Sequence, residues 1–203
     1  DGMALLDHLK IDKAHVVGVS MGGMLAQTIA IEFPHRVLTM TSIASSTGGP
    51  QKVDPNLSMK LFLSKVPKSK STHDLSVFRV EFVRRTGGPR PFDEDKVYAR
   101  GVYIAKRSTY MEGAFRHAGA IIFSPSRVEG LGRLKMPCLV IHGDKDELVP
   151  TENGYQTHKA IPGSRLVIVP GMGHILYEED FEPIASEIAK IAALARPSAA
   201  VAS

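Results

Sequence analysis

The sequence predicts an α/β fold built around a parallel sheet. Short apolar strands alternate with helices over residues 1–47 and again over residues 134–196. These strands are rich in Val, Ile and Leu without polar alternation, which is typical of parallel strands buried on both faces. Residues 48–133 lack the alternation and predict a mainly helical insertion between the two blocks.

The first block has the order helix, strand, turn, helix, strand. Its second helix lies between two strands, and parallel strands need such a crossover, so these elements form a right-handed βαβ unit. In chain order we expect a helix over residues 1–9, a strand over 15–19, a helix over 24–30 that ends before Pro34, and a strand over 37–44.

The second block repeats strand and helix, and the insertion holds shorter helical stretches between Gly and Pro breakers. Residues 51–100 carry eleven Lys or Arg against six Asp or Glu, an excess that indicates a solvated outer face rather than a patch that steers anionic substrates. The Ala- and Ser-rich tail, 197–203, is predicted to be disordered. The expected helices are 59–63, 75–85, 93–106, 151–160 and 181–194, and the expected strands are 137–141 and 165–169.

Composition excludes several classes of protein. No apolar run reaches the roughly 18 residues of a membrane helix. Cys138 is the single cysteine, so it cannot close an internal disulfide, and no Cys/His cluster has zinc-ligand spacing. The net charge of +4 is spread without a dense basic run, which argues against nucleic-acid binding. We therefore expect no zinc site, no membrane span and no nucleic-acid partner. No signal peptide is visible, which favours a cytoplasmic protein.

Residues 18–23 have the sequence Gly-Val-Ser-Met-Gly-Gly, a G-x-S-x-G pattern between a predicted strand and a predicted helix. In this context Ser20 is predicted to lie on a nucleophile elbow, a turn so sharp that its central residue is strained. Side chains two positions to either side would collide with backbone, which explains Gly18 and Gly22. The backbone N–H of Met21, at the start of the helix, is the expected oxyanion donor. The alternative is a small-residue corner without chemistry.

A serine hydroxyl is a weak nucleophile near neutral pH and needs a histidine base that a carboxylate orients. Among eight histidines, His174 is the best placed, because it lies in the glycine-rich loop 170–174 directly after the last strand. Loops at the carboxyl ends of parallel strands carry the sites of such sheets, and Ser20 has the same kind of position. His142 is the competitor, but it ends a strand and is interpreted as structural.

Two aspartates in the loop 143–150 are candidates for the carboxylate. Asp146 is preferred because it lies deeper in the loop, where it can reach the neighbouring histidine loop. Asp144 directly follows a glycine and is predicted to bond its own backbone in a turn. The order along the chain is then Ser20, Asp146, His174: nucleophile, acid, base.

The blocks 18–23, 142–150 and 171–174 together resemble the signature motifs of the α/β-hydrolase superfamily, whose acid aligns with Asp146. The resemblance implies a cofactor-free serine hydrolase that cleaves a carboxylic ester through an acyl-serine intermediate. It leaves open thioester hydrolysis, carbon–carbon bond cleavage and perhydrolysis, and, in a different class, a non-catalytic small-molecule receptor.

The insertion falls where members of that superfamily carry a cap. Residues 103–127, with Glu112-Gly113 and Arg116, are similar to the cap of bacterial esterases such as the aclacinomycin methylesterase group.

The resemblance also implies a sheet of eight strands, of which this chain supplies the last four. The chain opens at Asp1, without an initiator Met and partway along a helix, so we expect further residues before it. The absent strands would bring the loop that carries the second oxyanion donor. We therefore expect the 203 residues by themselves to be poorly soluble, because the first strand would be an open edge, and nearly inactive.

Overall fold

A parallel sheet of four strands forms the centre of the computed structural model, which describes residues 1–195. The strand order is that of the sequence, and each strand pairs in parallel with the next. The predicted α/β fold is thereby confirmed, whereas the tail predicted to be disordered, 197–203, lies outside the described residues. The strands are β1 (Ala14–Val19), β2 (Val37–Ile43), β3 (Cys138–Gly143) and β4 (Arg165–Val169).

Helices connect the strands and form the whole regular structure of the insertion within the described residues. No helix of residues 1–195 combines the length and the apolar character that crossing a bilayer requires. The helices are α1 (Gly2–His8), α2 (Met21–Glu32), α3 (Leu57–Leu63), α4 (Thr72–Thr86), α5 (Glu94–Arg107), α6 (Met111–Ile122), α7 (Val128–Leu131), α8 (Glu152–Ala160) and α9 (Glu178–Ala192), with a short 3-10 helix over Pro34–Arg36.

Three predicted helices, those observed as α2, α4 and α9, begin three residues too late. α4 begins at Thr72 instead of residue 75. α2 begins at Met21 instead of residue 24, because the turn after β1 consists of Ser20 alone and the glycines belong to the first helical turn. α9 begins at Glu178 instead of residue 181, and the Asp180 carboxylate accepts the preceding Tyr177 N–H at 3.0 Å. Helices α6 and α7 were not among the predicted elements.

Two apolar cores pack on opposite faces of the sheet. Successive residues of β3 point to opposite faces, so Val140 packs with Ala30 of α2, while Ile141 packs with Ile191 of α9. The result is three layers, helix, sheet and helix. β2 and β3 are almost fully buried, but β1 and β4 are half-exposed. The expectation that every strand is buried on both faces is therefore wrong for β1 and β4, because they are the outer strands of this sheet.

A buried arginine, Arg127, bonds the C-terminal part of the insertion to the core. The Arg127 guanidinium donates to Gln27 Oε1 of α2 and to the Ser46 carbonyl, each at 3.0 Å, and its backbone N–H donates to the Thr47 carbonyl at 2.9 Å. Burial lowers the pKa of this guanidinium from its ordinary value. The last residues of the insertion are thus bonded both to the helix that follows Ser20 and to the segment that leaves β2.

Candidate active site

Ser20 is the single residue between β1 and α2, and its backbone is strained. Its φ of 56° and ψ of −119° lie outside the regions that side-chain-bearing residues normally adopt. The Ser20 N–H donates to the carbonyl of Ile43, the last residue of β2, at 2.8 Å. The strain is thus held in place by the sheet on one side and the helix on the other.

The three glycines around Ser20 differ in how much space a side chain would have at each position. A Cβ at Gly18 would lie 1.9 Å from the Gly22 carbonyl oxygen, so β1 and α2 approach too closely there for any side chain. A Cβ at Gly22 would have no atom within 4 Å beyond its chain neighbours and the backbone of its own helix. The expectation that Gly22 avoids a collision with another backbone segment is therefore wrong for the described residues. The second close approach lies at Gly23, where a Cβ would be 2.6 Å from the Ser45 Cβ.

The structure brings Ser20, His174 and Asp146 together in one hydrogen-bonded row. His174 Nε2 lies 3.0 Å from Ser20 Oγ, and His174 Nδ1 lies 2.8 Å from Asp146 Oδ2. His174 is 7% exposed and Asp146 4% exposed, so the hydrogen bond between them is shielded from water, whereas Ser20 is half-buried. A hydroxyl, an imidazole and a carboxylate in this order can pass the hydroxyl proton to the imidazole.

The Asp146 carboxylate is oriented from three sides. Its Oδ1 accepts the N–H groups of Leu148 at 3.0 Å and Val149 at 2.8 Å, which leaves Oδ2 for His174. Burial alone raises the pKa of the Asp146 carboxyl, but hydrogen bonds from His142, His174 and the Val149 backbone outweigh it and hold that pKa below its ordinary value. The carboxylate therefore stays ionised at neutral pH.

His142, the competing histidine, lies behind the acid and not beside Ser20. It is fully buried, and its Nε2 lies 2.8 Å from the Val149 carbonyl oxygen and 3.5 Å from Asp146 Oδ2. A carbonyl can only accept, so His142 carries its proton on Nε2. This arrangement agrees with the interpretation of His142 as a structural residue.

Asp144, the competing carboxylate, makes a different bond from the predicted one. Its Oδ1 accepts the Gly171 N–H at 2.6 Å, so it joins two loops instead of bonding the backbone of its own turn. The expectation of a local turn bond is wrong because the loop after β4 lies close enough to compete for the carboxylate.

The N-terminus of α2 faces the position of Ser20. Met21 is the first residue of this helix, so its N–H has no acceptor within the helix and remains available. Ser45 Oγ donates to the Ser20 carbonyl oxygen at 2.8 Å and fixes the peptide that carries the Met21 N–H. Sequence reasoning missed Ser45; the available signal was the run of three hydroxyl residues, 45–47, shortly after β2.

The described residues do not support two alternatives, a metal site and a cysteine nucleophile. Among residues 1–195, no group of three or more His, Cys, Asp or Glu side chains could hold a metal ion. Burial raises the pKa of the Cys138 thiol to about 12, so this cysteine stays protonated.

Comparison with known proteins decides the family. A sequence profile described as alpha/beta hydrolase fold matches residues 3–181. The chain belongs to the α/β hydrolase fold family. The resemblance inferred from the three motif blocks is therefore confirmed, and so is the fold that it implied.

Curated members of this family share about the same degree of identity with the chain. Rhodomycin D methylesterase DauP from Streptomyces sp. (strain C5) is 30% identical over 213 residues, which cover 93% of this chain and 70% of that protein. A 2-hydroxy-6-oxononadienedioate/2-hydroxy-6-oxononatrienedioate hydrolase from Cupriavidus pinatubonensis is 28% identical over 176 residues, 84% of this chain and 58% of that protein. The chain thus spans part of the length of each relative.

Among solved structures, a meta-cleavage product hydrolase from Pseudomonas fluorescens IP01 superposes with a TM-score of 0.69. The alignment covers 93% of this chain and 68% of that one at 19% identity. At this level of identity the match concerns the fold.

The two glycines of the G-x-S-x-G pattern should respond differently to alanine. We expect Gly18→Ala to lower the free energy of unfolding by at least about 3 kcal/mol, because its Cβ would overlap the Gly22 carbonyl. Gly22→Ala should be neutral or stabilising, since Ala is favoured over Gly in a helix. Urea denaturation of the protein measures both, and equal effects would contradict the assigned close approach.

Asp146 should contribute to stability only above acidic pH. Its folded pKa lies below the unfolded value of about 3.9, so its contribution is complete above that pH and is lost as pH falls through the folded pKa. Wild type should therefore exceed Asp146→Asn in free energy of unfolding at pH 6, and the difference should shrink below pH 4. Asp144→Asn, which changes a more exposed carboxylate, is the matched control for urea denaturation across this range. A difference that is constant with pH would contradict the assignment.

Proposed function

We propose that this chain carries the reaction centre of a serine hydrolase that cleaves a carboxylic ester of a small molecule through an acyl-Ser20 intermediate. The observation that supports it most is the continuous row from Ser20 Oγ through His174 to Asp146, with bonds of 3.0 and 2.8 Å. Three further features accompany this row: a strained serine backbone, a buried imidazole and an ionised buried carboxylate. A polar cluster without a function would not need all three.

Asp146 sets the proton positions in this proposal. Its ionised carboxylate accepts from Nδ1 of His174, which leaves Nε2 of the neutral imidazole unprotonated and able to accept the Ser20 hydroxyl proton. As Ser20 Oγ attacks the ester carbonyl, His174 takes that proton and then gives it to the departing alcohol. Water, deprotonated by the same nitrogen, then releases the acid and regenerates Ser20.

The Met21 N–H is the donor proposed for the developing oxyanion. It lies at the positive end of α2, a helix of twelve residues, and the Ser45 hydroxyl holds the preceding peptide carbonyl. Donors that are fixed before the reaction need no reorganisation when charge develops on the carbonyl oxygen. This peptide joins the strained Ser20 to Met21, so one turn positions both the Ser20 hydroxyl and the Met21 N–H.

Ester cleavage is preferred because the relative at 30% identity is named as a methylesterase. Carbon–carbon bond hydrolysis is the second candidate, since a relative at 28% identity is named as a hydrolase of a 2-hydroxy-6-oxo dienedioate. A panel of nitrophenyl esters, methyl esters and a 2-hydroxy-6-oxo dienoate separates the two by kcat/KM. A fluorophosphonate probe, which labels activated serines, separates either hydrolase from a non-catalytic receptor.

Ser20→Ala should abolish ester turnover without unfolding the protein. We expect kcat/KM for a nitrophenyl ester to fall by about 10⁵-fold, because the nucleophile of such a triad acts as a unit with its base. Ser64→Ala, at an exposed position that ends α3, is the control and should keep wild-type turnover. Fluorophosphonate labelling, followed by mass spectrometry, should locate the probe on Ser20. Turnover that survives in Ser20→Ala would assign the nucleophile elsewhere.

The two aspartates should differ sharply in turnover. Asp146→Asn should lower kcat by about 10⁴-fold, because an amide at this position favours the wrong tautomer of His174. Asp144→Asn should lose less than about tenfold, since its remaining oxygen can still accept the Gly171 N–H. The pH–rate profile of both variants completes the comparison, and the reverse ranking would make Asp144 the acid.

A further inference from the structure

The loop that carries His174 has to span the width of the sheet. His174 follows β4 while Ser20 follows β1, and three strand spacings, about 14 Å, separate these two strands. The loop of residues 170–174, here the base loop, must therefore leave β4 and cross the ends of β3 and β2. Two of its five residues are glycines, and Gly171 has a φ of 73°, so the loop has little conformational preference of its own.

A turn of the insertion lies directly against this loop. The turn, residues 86–90 at the end of α4, is here called the support turn. The His174 N–H donates to the Thr86 carbonyl at 2.6 Å. A Cβ at Gly173 would lie 2.4 Å from the Gly88 nitrogen, and a Cβ at Gly88, where φ is 82°, would lie 2.9 Å from the Gly173 nitrogen. The two backbones are thus in contact without any intervening side chain.

Arg90, the last residue of the support turn, holds the other end of the base loop. Its Nη2 donates to the Pro170 carbonyl at 2.6 Å, and its Nη1 donates to Asp180 Oδ1 at 2.6 Å. A Cβ at Gly171 would lie 3.1 Å from Arg90 Nε, so the guanidinium also lies against the loop backbone. Asp180 in turn accepts the Tyr177 N–H at 3.0 Å, at the start of α9.

The Arg90 ion pair is partly withdrawn from water. Asp180 is 3% exposed, and the hydrogen bond to its carboxylate raises the pKa of the Arg90 guanidinium above its ordinary value. A guanidinium presents donors in a fixed fork, so one side chain can hold a carbonyl and a carboxylate in a set relative position. Arg90 therefore joins the start of the base loop, the start of α9 and the insertion.

We propose that Arg90 is a positioning residue for His174, acting through the base loop. It fixes Pro170 while the Thr86 carbonyl fixes His174, so both ends of a glycine-rich loop are attached to the insertion. His174 Nε2 is thereby kept within 3.0 Å of Ser20 Oγ. The role as a base rests on the proposed function, whereas the effect on the loop does not depend on it.

The test uses Arg90→Met and Arg90→Lys in the protein as it occurs naturally. Arg133→Met is the matched control, because Arg133, in the turn after α7, makes an exposed ion pair with Glu129. Two readouts are needed: kcat and KM for a nitrophenyl ester, and hydrogen exchange of the His174 N–H by mass spectrometry of peptides covering the base loop.

For Arg90→Met we expect kcat to fall by at least about tenfold with KM changed by less than about twofold, because misplacing a reacting group acts on the chemical step. Exchange of the His174 N–H should accelerate by at least about tenfold, since its bond to Thr86 opens more often. Arg90→Lys should lie between wild type and Arg90→Met, because lysine keeps the charge but lacks the fork. Arg133→Met should match wild type in both readouts.

Wild-type kcat and wild-type exchange in Arg90→Met would overturn the proposal. So would a lowered Tm with unchanged kcat and unchanged His174 exchange at a temperature where the variant is folded, because that pattern describes a stabilising role only. If Arg90→Met does not fold, Arg90→Lys decides by the same criteria. A wild-type protein without ester turnover would reject the proposed function, and the exchange experiment would then still test the support of the loop.

Discussion

The close approach of β1 and α2 at Gly18 is the constraint on which the candidate site depends. The absence of a side chain there lets the helix begin one residue after Ser20, with the Gly22 carbonyl in the space that a Cβ would occupy. The chain can reverse so quickly only if Ser20 adopts a positive φ, and this orientation presents its hydroxyl beyond the carboxyl edge of the sheet. One contact thus accounts for the strain at Ser20, the position of its hydroxyl and the direction in which the Met21 N–H points.

The parallel sheet supplies the second requirement, because it collects the carboxyl ends of all four strands at one edge. Asp146 follows β3 and His174 follows β4, so the proposed acid and base come from neighbouring strands and are joined by one hydrogen bond of 2.8 Å. Ser20, by contrast, lies at the far side of the sheet. The distance is covered by the loop after β4, and for that reason the geometry of Ser20 and His174 is sensitive to whatever supports this loop.

The insertion is bonded to the core near the site both through Arg127 and through the support turn. Arg127 joins its last residues to α2, the helix that begins beside Ser20, and Thr86 is bonded to the backbone of His174. Both contacts are hydrogen bonds to backbone carbonyls or to an amide side chain. They therefore fix the relative position of the insertion and the core, and they bury little apolar surface. The insertion therefore fixes the position of the helix that follows Ser20 and of the backbone of His174.

The sequence by itself determined the α/β class, the sharp turn at Ser20 and the choice of Ser20, Asp146 and His174 as candidate site residues, because strand composition, turn geometry and motif spacing are properties of a few consecutive residues. It did not determine the start of α2, the partner of Asp144 or the glycine that packs against Ser45, since each depends on the neighbouring segment. Only the tertiary structure showed that Arg90 contacts Asp180, 90 residues later in the chain. Such contacts leave no local pattern: any arginine in a turn has the same sequence signature, and the folded sheet alone brings that turn against the loop of His174.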